Sequence, residues 1–209
     1  MLRGQRNPFV AQEGLPLLAL AAVLVAFVLL SSEPWLAVLP LAALVLLFLL
    51  FRDPRRDIPP VALGVVSPVD GVVVEVDTTD RCVVQGEAHR VRIRIDALGT
   101  YTARSPIEGR VMDLHSRAEG IGPECPANAL WVETDEGDSV VLMFHEYRFG
   151  LPPKSFIQLG DRVGQGNRCA YIRLARFAEL YLPLDGKVHV KEGLKVIAGT
   201  DLIGAVPHP

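Results

Sequence analysis

The sequence predicts a mainly β protein that begins with a transmembrane helical hairpin. Two observations lead to that fold class. Two apolar runs without charge, residues 15–30 and 35–51, each lie near the lower limit of the roughly 17–25 residues that a spanning helix needs. After residue 60, short runs of β-favouring residues are punctuated by Gly, Pro and Asp, and no long amphipathic helix pattern interrupts them. The chain of 209 residues therefore accommodates one β domain and one membrane segment.

The two apolar runs are predicted to form two helices joined by a tight turn. Ser31 and Glu33 can cap exposed amides at a helix start, and Pro34 suits the first helical turn. Arginines lie before the first run and after the second, so the positive-inside rule places both ends in the cytoplasm. The expected location is the cell (inner) membrane, with the β domain on the cytoplasmic side. One long bent span through Pro34 and Pro40 is the alternative, and the sequence leaves open whether the hairpin spans the bilayer or dips into it.

Changes in composition divide the chain into four segments. The apolar region gives way to charged residues at 52–57 (RDPRRD), and the first strand-like motif begins at residue 67. The predicted segments are a cytoplasmic tail at 1–14, the two-helix membrane hairpin at 15–51, a juxtamembrane linker at 52–66 and the β domain at 67–209.

Composition also excludes several classes of function. The formal net charge of -3 is mild and argues against nucleic acid as a partner. Cys82, Cys125 and Cys169 lie far apart and form no CxxC pair, so neither a zinc site nor a disulfide framework is predicted, and buried free thiols are expected. His145 and Glu146 are adjacent, but no second histidine is spaced to complete a set of ligands, so no metal site is predicted.

Two near-repeats occur within the β region. Residues 67–73 (SPVDGVV) resemble residues 105–111 (SPIEGRV), and residues 160–166 (GDRVGQG) resemble residues 193–199 (GLKVIAG). The second pair predicts a turn–strand–turn unit, because glycine at each end permits positive φ and a valine packs between them. Such units are typical of the β-sandwich of lipoyl and biotinyl carrier domains, so a sandwich or barrel-like domain of that type is expected. This likeness concerns the fold and implies no function.

Three stretches, in order, resemble the short bacterial and archaeal phosphatidylserine decarboxylases. They are residues 51–59 (FRDPRRDIP), residues 67–71 (SPVDG) and a C-terminal block over residues 171–199, with weaker likeness at residues 104–109 and 128–134. One such motif alone would be weak. The ordered set behind an apolar hairpin covers nearly the whole chain, and on it the sequence is identified as a divergent member of that family.

The resemblance implies a particular chemistry. Enzymes of this family make a pyruvoyl group from their own backbone: a serine hydroxyl attacks the carbonyl of the preceding glycine, the resulting ester eliminates, and the chain breaks. The ketone at the new N-terminus forms a Schiff base with the amine of phosphatidylserine and accepts the electrons left when carbon dioxide departs. An aspartate and a histidine activate the serine, following the logic of the hydrolase triad.

Transferred residue by residue, this self-processing set is only partly present. Asp70 falls on the family's aspartate, whereas Tyr101 replaces the histidine, and Ala175 and Arg176 replace the Gly-Ser cleavage site. Arginine has neither a hydroxyl to attack a carbonyl nor a β-oxygen to eliminate, and a phenol loses its proton only near pH ~10. We therefore expect no pyruvoyl cofactor in this chain. Cys169 is the alternative nucleophile nearest in sequence, although it lies well upstream of the aligned site.

Three functions are consistent with these replacements. The first is a degenerate family member that binds a membrane phospholipid, or an enzyme of phospholipid synthesis, with Arg104 and Arg173 as substrate-binding residues because the guanidinium fork suits phosphate and carboxylate. The second is an active phosphatidylserine decarboxylase that obtains its cofactor differently and releases phosphatidylethanolamine and carbon dioxide. The third is a non-catalytic β module tethered to the membrane. The sequence leaves the oligomeric state open, a homo-oligomer included.

Overall fold

The computed structural model describes residues 9–11, 14–30, 34–80, 86–113, 129–147, 153–172 and 174–207. Within these ranges the protein is mainly β, with two α-helices near its N-terminus and β-strands from residue 64 onward. The described residues divide into two compact units at residue 55. The short β-favouring runs of the sequence are therefore strands, as predicted.

The N-terminal unit contains helix α1 (Leu15–Leu29) and helix α2 (Val38–Phe51), with a 3-10 turn over Pro34–Ala37 directly before α2. Both helices are apolar on all sides, and most of their large side chains are exposed. The chain that enters α1 is fixed to the end of α2, because the amide of Ala11 donates to the carbonyl of Phe51 at 2.7 Å.

The transmembrane hairpin predicted over residues 15–51 is wrong. Helix α1 has 15 residues and helix α2 has 14, so at 1.5 Å per residue each extends only about 21–23 Å, less than the ~30 Å hydrocarbon core of a bilayer. No helix within the described ranges combines the length and the hydropathy that crossing a membrane requires. The helices are shorter than the apolar runs that predicted them. The first helix ends at Leu29, and the first residues of the second run belong to the 3-10 turn.

The β unit contains fourteen strands within the described ranges. They are β1 (Gly64–Val66), β2 (Gly71–Thr79), β3 (Ala88–Ile95), β4 (Thr102–Arg104), β5 (Gly109–Asp113), β6 (Ala129–Glu133), β7 (Ser139–Tyr147), β8 (Lys154–Ser155), β9 (Arg162–Val163), β10 (Arg168–Tyr171), β11 (Ala175–Pro183), β12 (Lys187–Val188), β13 (Lys195–Val196) and β14 (Leu202–Ala205). The largest sheet has the order β13-β2-β3-β11-β7-β6-β5-β9, and two three-stranded sheets have the orders β1-β14-β12 and β4-β10-β8. All of these pairings are antiparallel.

Strand β3 illustrates how the sequence separates the two faces of the largest sheet. Val91, Ile93 and Ile95 are buried, and the arginines between them, Arg92 and Arg94, lie on the opposite face because side chains alternate along a strand. Its neighbours in the sheet are β2 and β11. The strand therefore supplies apolar residues to the core and cations to the other face.

The first near-repeat forms the same turn twice. The hydroxyl of Ser67 donates to the carbonyl of Val69 at 2.7 Å, and the hydroxyl of Ser105 donates to the carbonyl of Ile107 at 2.8 Å. Both serines are fully buried, so each turn satisfies its own polar side chain locally. The similarity of residues 67–73 and 105–111 is therefore a similarity of structure.

These two turns also bind each other in a reciprocal manner. The amide of Val66 donates to the carbonyl of Pro106 at 2.8 Å, and the amide of Arg104 donates to the carbonyl of Pro68 at 2.9 Å. Each donor precedes the proline of its own turn by two residues. The reciprocity indicates an internal pseudo-twofold relation between the two turns.

The second near-repeat completes this relation. Gly160 and Gly193 begin the two units with φ of 82° and 84°, and Gly166 and Gly199 end them with φ of 69° and 72°, which confirms the predicted turn–strand–turn unit. Strand β13 pairs with β2 and strand β9 pairs with β5. We call residues 67–73 with 193–199 the Asp70 copy, and residues 105–111 with 160–166 the Glu108 copy.

Candidate functional site

Asp70 joins three segments of the β unit. One carboxylate oxygen accepts hydrogen bonds from the amide and the hydroxyl of Thr100, each at 2.9 Å, and lies 2.7 Å from Nη2 of Arg56. The other oxygen accepts from the amide of Ala198 at 2.8 Å. The side chain of Asp70 is thus only 14% exposed, and both of its oxygens are occupied.

Tyr101 lies directly after Thr100, in the position that the resemblance gives to a histidine. It is 6% exposed, and its hydroxyl donates to the carbonyl of Ala97 at 3.0 Å. Its own carbonyl accepts from the amide of Ile172 at 2.9 Å. Asp70 therefore contacts the residue before Tyr101, while the phenol is directed at the main chain.

Ala175 and Arg176 begin strand β11 at a distorted position of the sheet. Leu174 has φ of 66° and Glu146, on the neighbouring strand β7, has φ of 55°. Left-handed conformations of residues other than glycine cost on the order of 1 kcal/mol or more and cluster at functional sites. Nη1 of Arg176, two residues after Leu174, donates to Oε2 of Glu146 at 3.3 Å.

A cavity of about 370 Å³ brings three of the predicted site residues together. Tyr101, Ala175 and Arg176 line it. Asp70 borders this region through Thr100 but is not among the lining residues. The structure therefore places the residues that the resemblance assigns to the base and the cleavage site around one cavity, which the spacing of the sequence alone could not show.

Three charged lining residues were not among the predicted site residues. They are Arg94 on β3, Asp96 just after it, and Lys195 on β13. Strand pairing brings them together, because Lys195 lies opposite Val72 on β2 and Val72 lies opposite Arg94. The alternation of arginines along residues 90–94 was the available signal, and only the register shows which of them reaches the cavity.

Of the two arginines predicted to bind substrate, the structure describes Arg104, and Arg104 is not among the residues that line this cavity. Arg104 is 2% exposed, and its Nη1 donates to the carbonyl of Gly166 at 3.0 Å. It also packs so closely against Gly199 that an added Cβ would come within 2.7 Å of its Cδ. Arg104 thus lies where the two copies meet, and Arg173 lies outside the described residues, so substrate binding by this pair stays a prediction.

Cys169 is unsuited to replace the missing serine. Burial raises the pKa of its thiol to about 12, although the nearby charge of Arg104 lowers it. Since the thiolate is the nucleophilic form, this fully buried side chain is unreactive at neutral pH. Cys82 and Cys125 lie outside the described residues.

A buried carboxylate on β11, missed by the sequence analysis, links the neighbouring strands. Oε2 of Glu179 lies 2.9 Å from Nε2 of His145 and accepts from the hydroxyl of Tyr181 at 2.7 Å. Burial alone would raise the pKa of Glu179, but these two contacts outweigh it and lower the pKa to about 2. Arg92 approaches both Glu179, at 3.5 Å, and Glu146, at 3.9 Å, so the network reaches the partner of Arg176.

Comparison with known proteins gives consistent relatives over nearly the full chain. A protein of Nitrosomonas eutropha named phosphatidylserine decarboxylase proenzyme is 32% identical over 201 residues, which cover 92% of this chain and 93% of that protein. A protein of the same name from Nitrosomonas europaea is 32% identical over 202 residues, with the same coverage. Another from Burkholderia ambifaria is 27% identical over 205 residues, covering 94% of this chain and 96% of its own length.

The comparisons with protein-family models and with solved structures do not identify a function. No protein-family model matches the chain. Among solved structures, glucose permease IIA from Mycoplasma capricolum aligns with a TM-score of 0.46 and 18% identity, over 68% of this chain and 94% of that one.

Proposed function

Since the chain belongs to the phosphatidylserine decarboxylase family, we propose that it is a member that does not cleave itself into a pyruvoyl enzyme. In this proposal it acts in phospholipid metabolism as a phospholipid-binding or regulatory module. The cavity around Tyr101 and Arg176 receives the headgroup of an anionic phospholipid and leaves it chemically unchanged.

The observation that carries the proposal is the pair Ala175-Arg176 in the cavity wall. A pyruvoyl group made here would require a hydroxyl at residue 176 to attack the preceding carbonyl, and arginine has none. Its guanidinium is instead paired with Glu146. The residues present therefore do not fit the group that the resemblance implies.

The position of the base supports the same conclusion. The hydroxyl of Tyr101 donates its proton to the main-chain carbonyl of Ala97, and a phenol is a poor base at neutral pH. The carboxylate of Asp70 is occupied by hydrogen bonds from two other segments and by Arg56. Two independent steps of self-processing, activation and attack, thus lack their groups.

Retained headgroup binding is supported by the chemistry of the replacement itself. Arginine presents planar, forked donors that match phosphate and carboxylate oxygens. Arg176 lines the cavity with a side chain that is 56% exposed, so a ligand can reach it. The change that removed the nucleophile has therefore added an anion-binding group.

Intact mass of the purified full-length chain tests the proposal. We expect one uncut species that does not react with hydroxylamine, because no ketone forms. A chain cut between residues 175 and 176, with a carbonyl that hydroxylamine captures, would show that the protein processes itself and would favour the active decarboxylase.

A restoring variant provides the matched control. Tyr101→His, Ala175→Gly and Arg176→Ser together return the family's residues to the cavity. Appearance of the two fragments and a reactive carbonyl in this triple variant would confirm that these positions correspond to the family's base and cleavage site.

A further inference from the structure

Three cations converge on the cavity that holds Tyr101 and Ala175. We propose that Arg94, Arg176 and Lys195 form a recognition site for a phosphate group carrying two negative charges, that is, a phosphomonoester. The inference rests on the proposed function, since it names the class of ligand that the unprocessed cavity takes.

The register of the sheet places two of these cations on one face. Lys195 lies opposite Val72, and Val72 lies opposite Arg94, so the three residues form a row across β13, β2 and β3. Strands are spaced by about 4.8 Å, which puts the Cα atoms of Lys195 and Arg94 roughly 10 Å apart. Long side chains from the two ends of such a row can close on one phosphate between them.

The third cation enters from the next strand. Arg94 lies opposite Phe177 on β11, and Arg176 precedes Phe177 in that strand. All three cations line the same cavity. A phosphate there would meet two forked guanidinium groups and one ammonium group, the donor types that bind phosphate most strongly.

The charge balance favours a dianion. The cavity wall carries three cations and the carboxylate of Asp96, whose Oδ2 lies 3.8 Å from Nζ of Lys195. Within the part of the chain that the structure describes, Arg94 has no ion-pair partner. Once a ligand displaces Glu146 from Arg176, the surplus of two positive charges matches a phosphomonoester better than a zwitterionic headgroup, because like charges and unmatched cations both cost free energy at close range.

Glu146 acts as an internal competitor for the ligand. Its Oε2 lies 3.3 Å from Nη1 of Arg176, and the two side chains are 49% and 56% exposed. Exposed ion pairs of this kind contribute little, so a phosphate can displace the carboxylate at low cost. The ion pair holds Arg176 at the cavity in the absence of ligand and weakens binding by the amount needed to break it.

The Glu108 copy supplies a natural contrast. It carries a cavity of about 300 Å³ lined by Arg110 and Arg162, but also by Glu133 and Asp135. Arg162 is paired with Asp135 and lies 3.5 Å from Glu108. The number of arginines in this second cavity equals the number of carboxylates, so no phosphate site is expected there. Arg162→Gln therefore serves as a control for the removal of an exposed cation.

Binding by the uncut full chain tests the inference. The probes are glycerol 3-phosphate in solution and phosphatidylcholine vesicles containing either phosphatidic acid or phosphatidylserine. We expect a phosphomonoester to bind, with each of Arg94→Gln, Arg176→Gln and Lys195→Gln weakening it about tenfold, as loss of one charged hydrogen bond does. Arg162→Gln should leave the affinity unchanged, and Glu146→Gln should strengthen it a few-fold.

The outcomes separate the ligand sources and the two proposals. Comparable binding of glycerol 3-phosphate supports a soluble phosphorylated ligand, and binding confined to phosphatidic acid vesicles supports a lipid. The phosphate inference is overturned if neither glycerol 3-phosphate nor phosphatidic acid binds, or if phosphatidylserine binds as tightly as phosphatidic acid. It is also overturned if the three cavity variants bind the phosphomonoester as tightly as Arg162→Gln does. A cut chain with a reactive carbonyl would instead contradict the proposed function, which the mass measurement detects independently.

Discussion

The Asp70 copy and the Glu108 copy share one turn and differ in what surrounds its acid. Asp70 accepts from Thr100 and Ala198 and pairs with Arg56, and its side chain is 14% exposed. Glu108 is 62% exposed and lies 3.5 Å from Arg162, itself largely exposed. The shared motif therefore determines the turn, while segments distant in sequence determine whether its acid stabilises the fold.

Neutralising the acid in each copy should give the largest difference. Asp70→Asn should lower the free energy of unfolding by about 3–4 kcal/mol, because it removes an acceptor from several buried donors and leaves Arg56 without its partner. Glu108→Gln should change it by less than about 0.5 kcal/mol, as exposed substitutions usually do. Urea unfolding of both variants measures the difference, and equal losses would show that the surroundings of Asp70 do not matter.

The comparison extends to a second buried carboxylate, Glu179. Its pKa is about 2 when folded, against 4.5 as its ordinary value, so its contribution to stability is complete above about pH 4.5 and is lost as the pH falls toward 2. The loss should reach roughly 3 kcal/mol. Unfolding measured from pH 6 to pH 2 should therefore show a decline that Glu179→Gln flattens and that Glu108→Gln leaves as steep as in the parent chain.

The smallest predicted losses of stability come from two glycines of the Asp70 copy. Both have positive φ, but only one of them has a side chain next to the position of an added Cβ. Gly193→Ala should cost about 1 kcal/mol, because φ is 84° but nothing lies within 4 Å of the added Cβ. Gly199→Ala should cost about 1–2 kcal/mol more, because its φ is 72° and the new Cβ would lie 2.7 Å from Cδ of Arg104. Thermal unfolding compares them, and identical losses would mean that Arg104 moves aside freely.

The sequence predicted well those features that depend on neighbouring residues. The near-repeats predicted the positive φ of the four glycines at their ends, and the strand-like runs predicted a mainly β protein. The prediction of a membrane hairpin was wrong because an apolar run indicates hydropathy but does not indicate the residues at which its helix begins and ends.

The candidate site was only partly predictable because strand pairing assembles it from distant segments. Tyr101, Ala175 and Arg176 were found through the resemblance and do line one cavity. Arg94 belongs to no motif, and the near-repeat that contains Lys195 predicted a turn and no binding role. Only the register of β13, β2 and β3 brings the two residues together there. Conversely, Arg104 lies in a family-like motif, yet its guanidinium donates to a buried carbonyl between the two copies.

The position of strand β11 has a consequence for the integrity of the molecule. It lies between β3 and β7 in the largest sheet, and the strands that follow it pair with β2 and β1 near the start of the β unit. A backbone severed before residue 176 would leave two polypeptides interleaved by hydrogen bonds along several strands. The scaffold thus has the architecture of a split protein, in which strand pairing would hold the two fragments together.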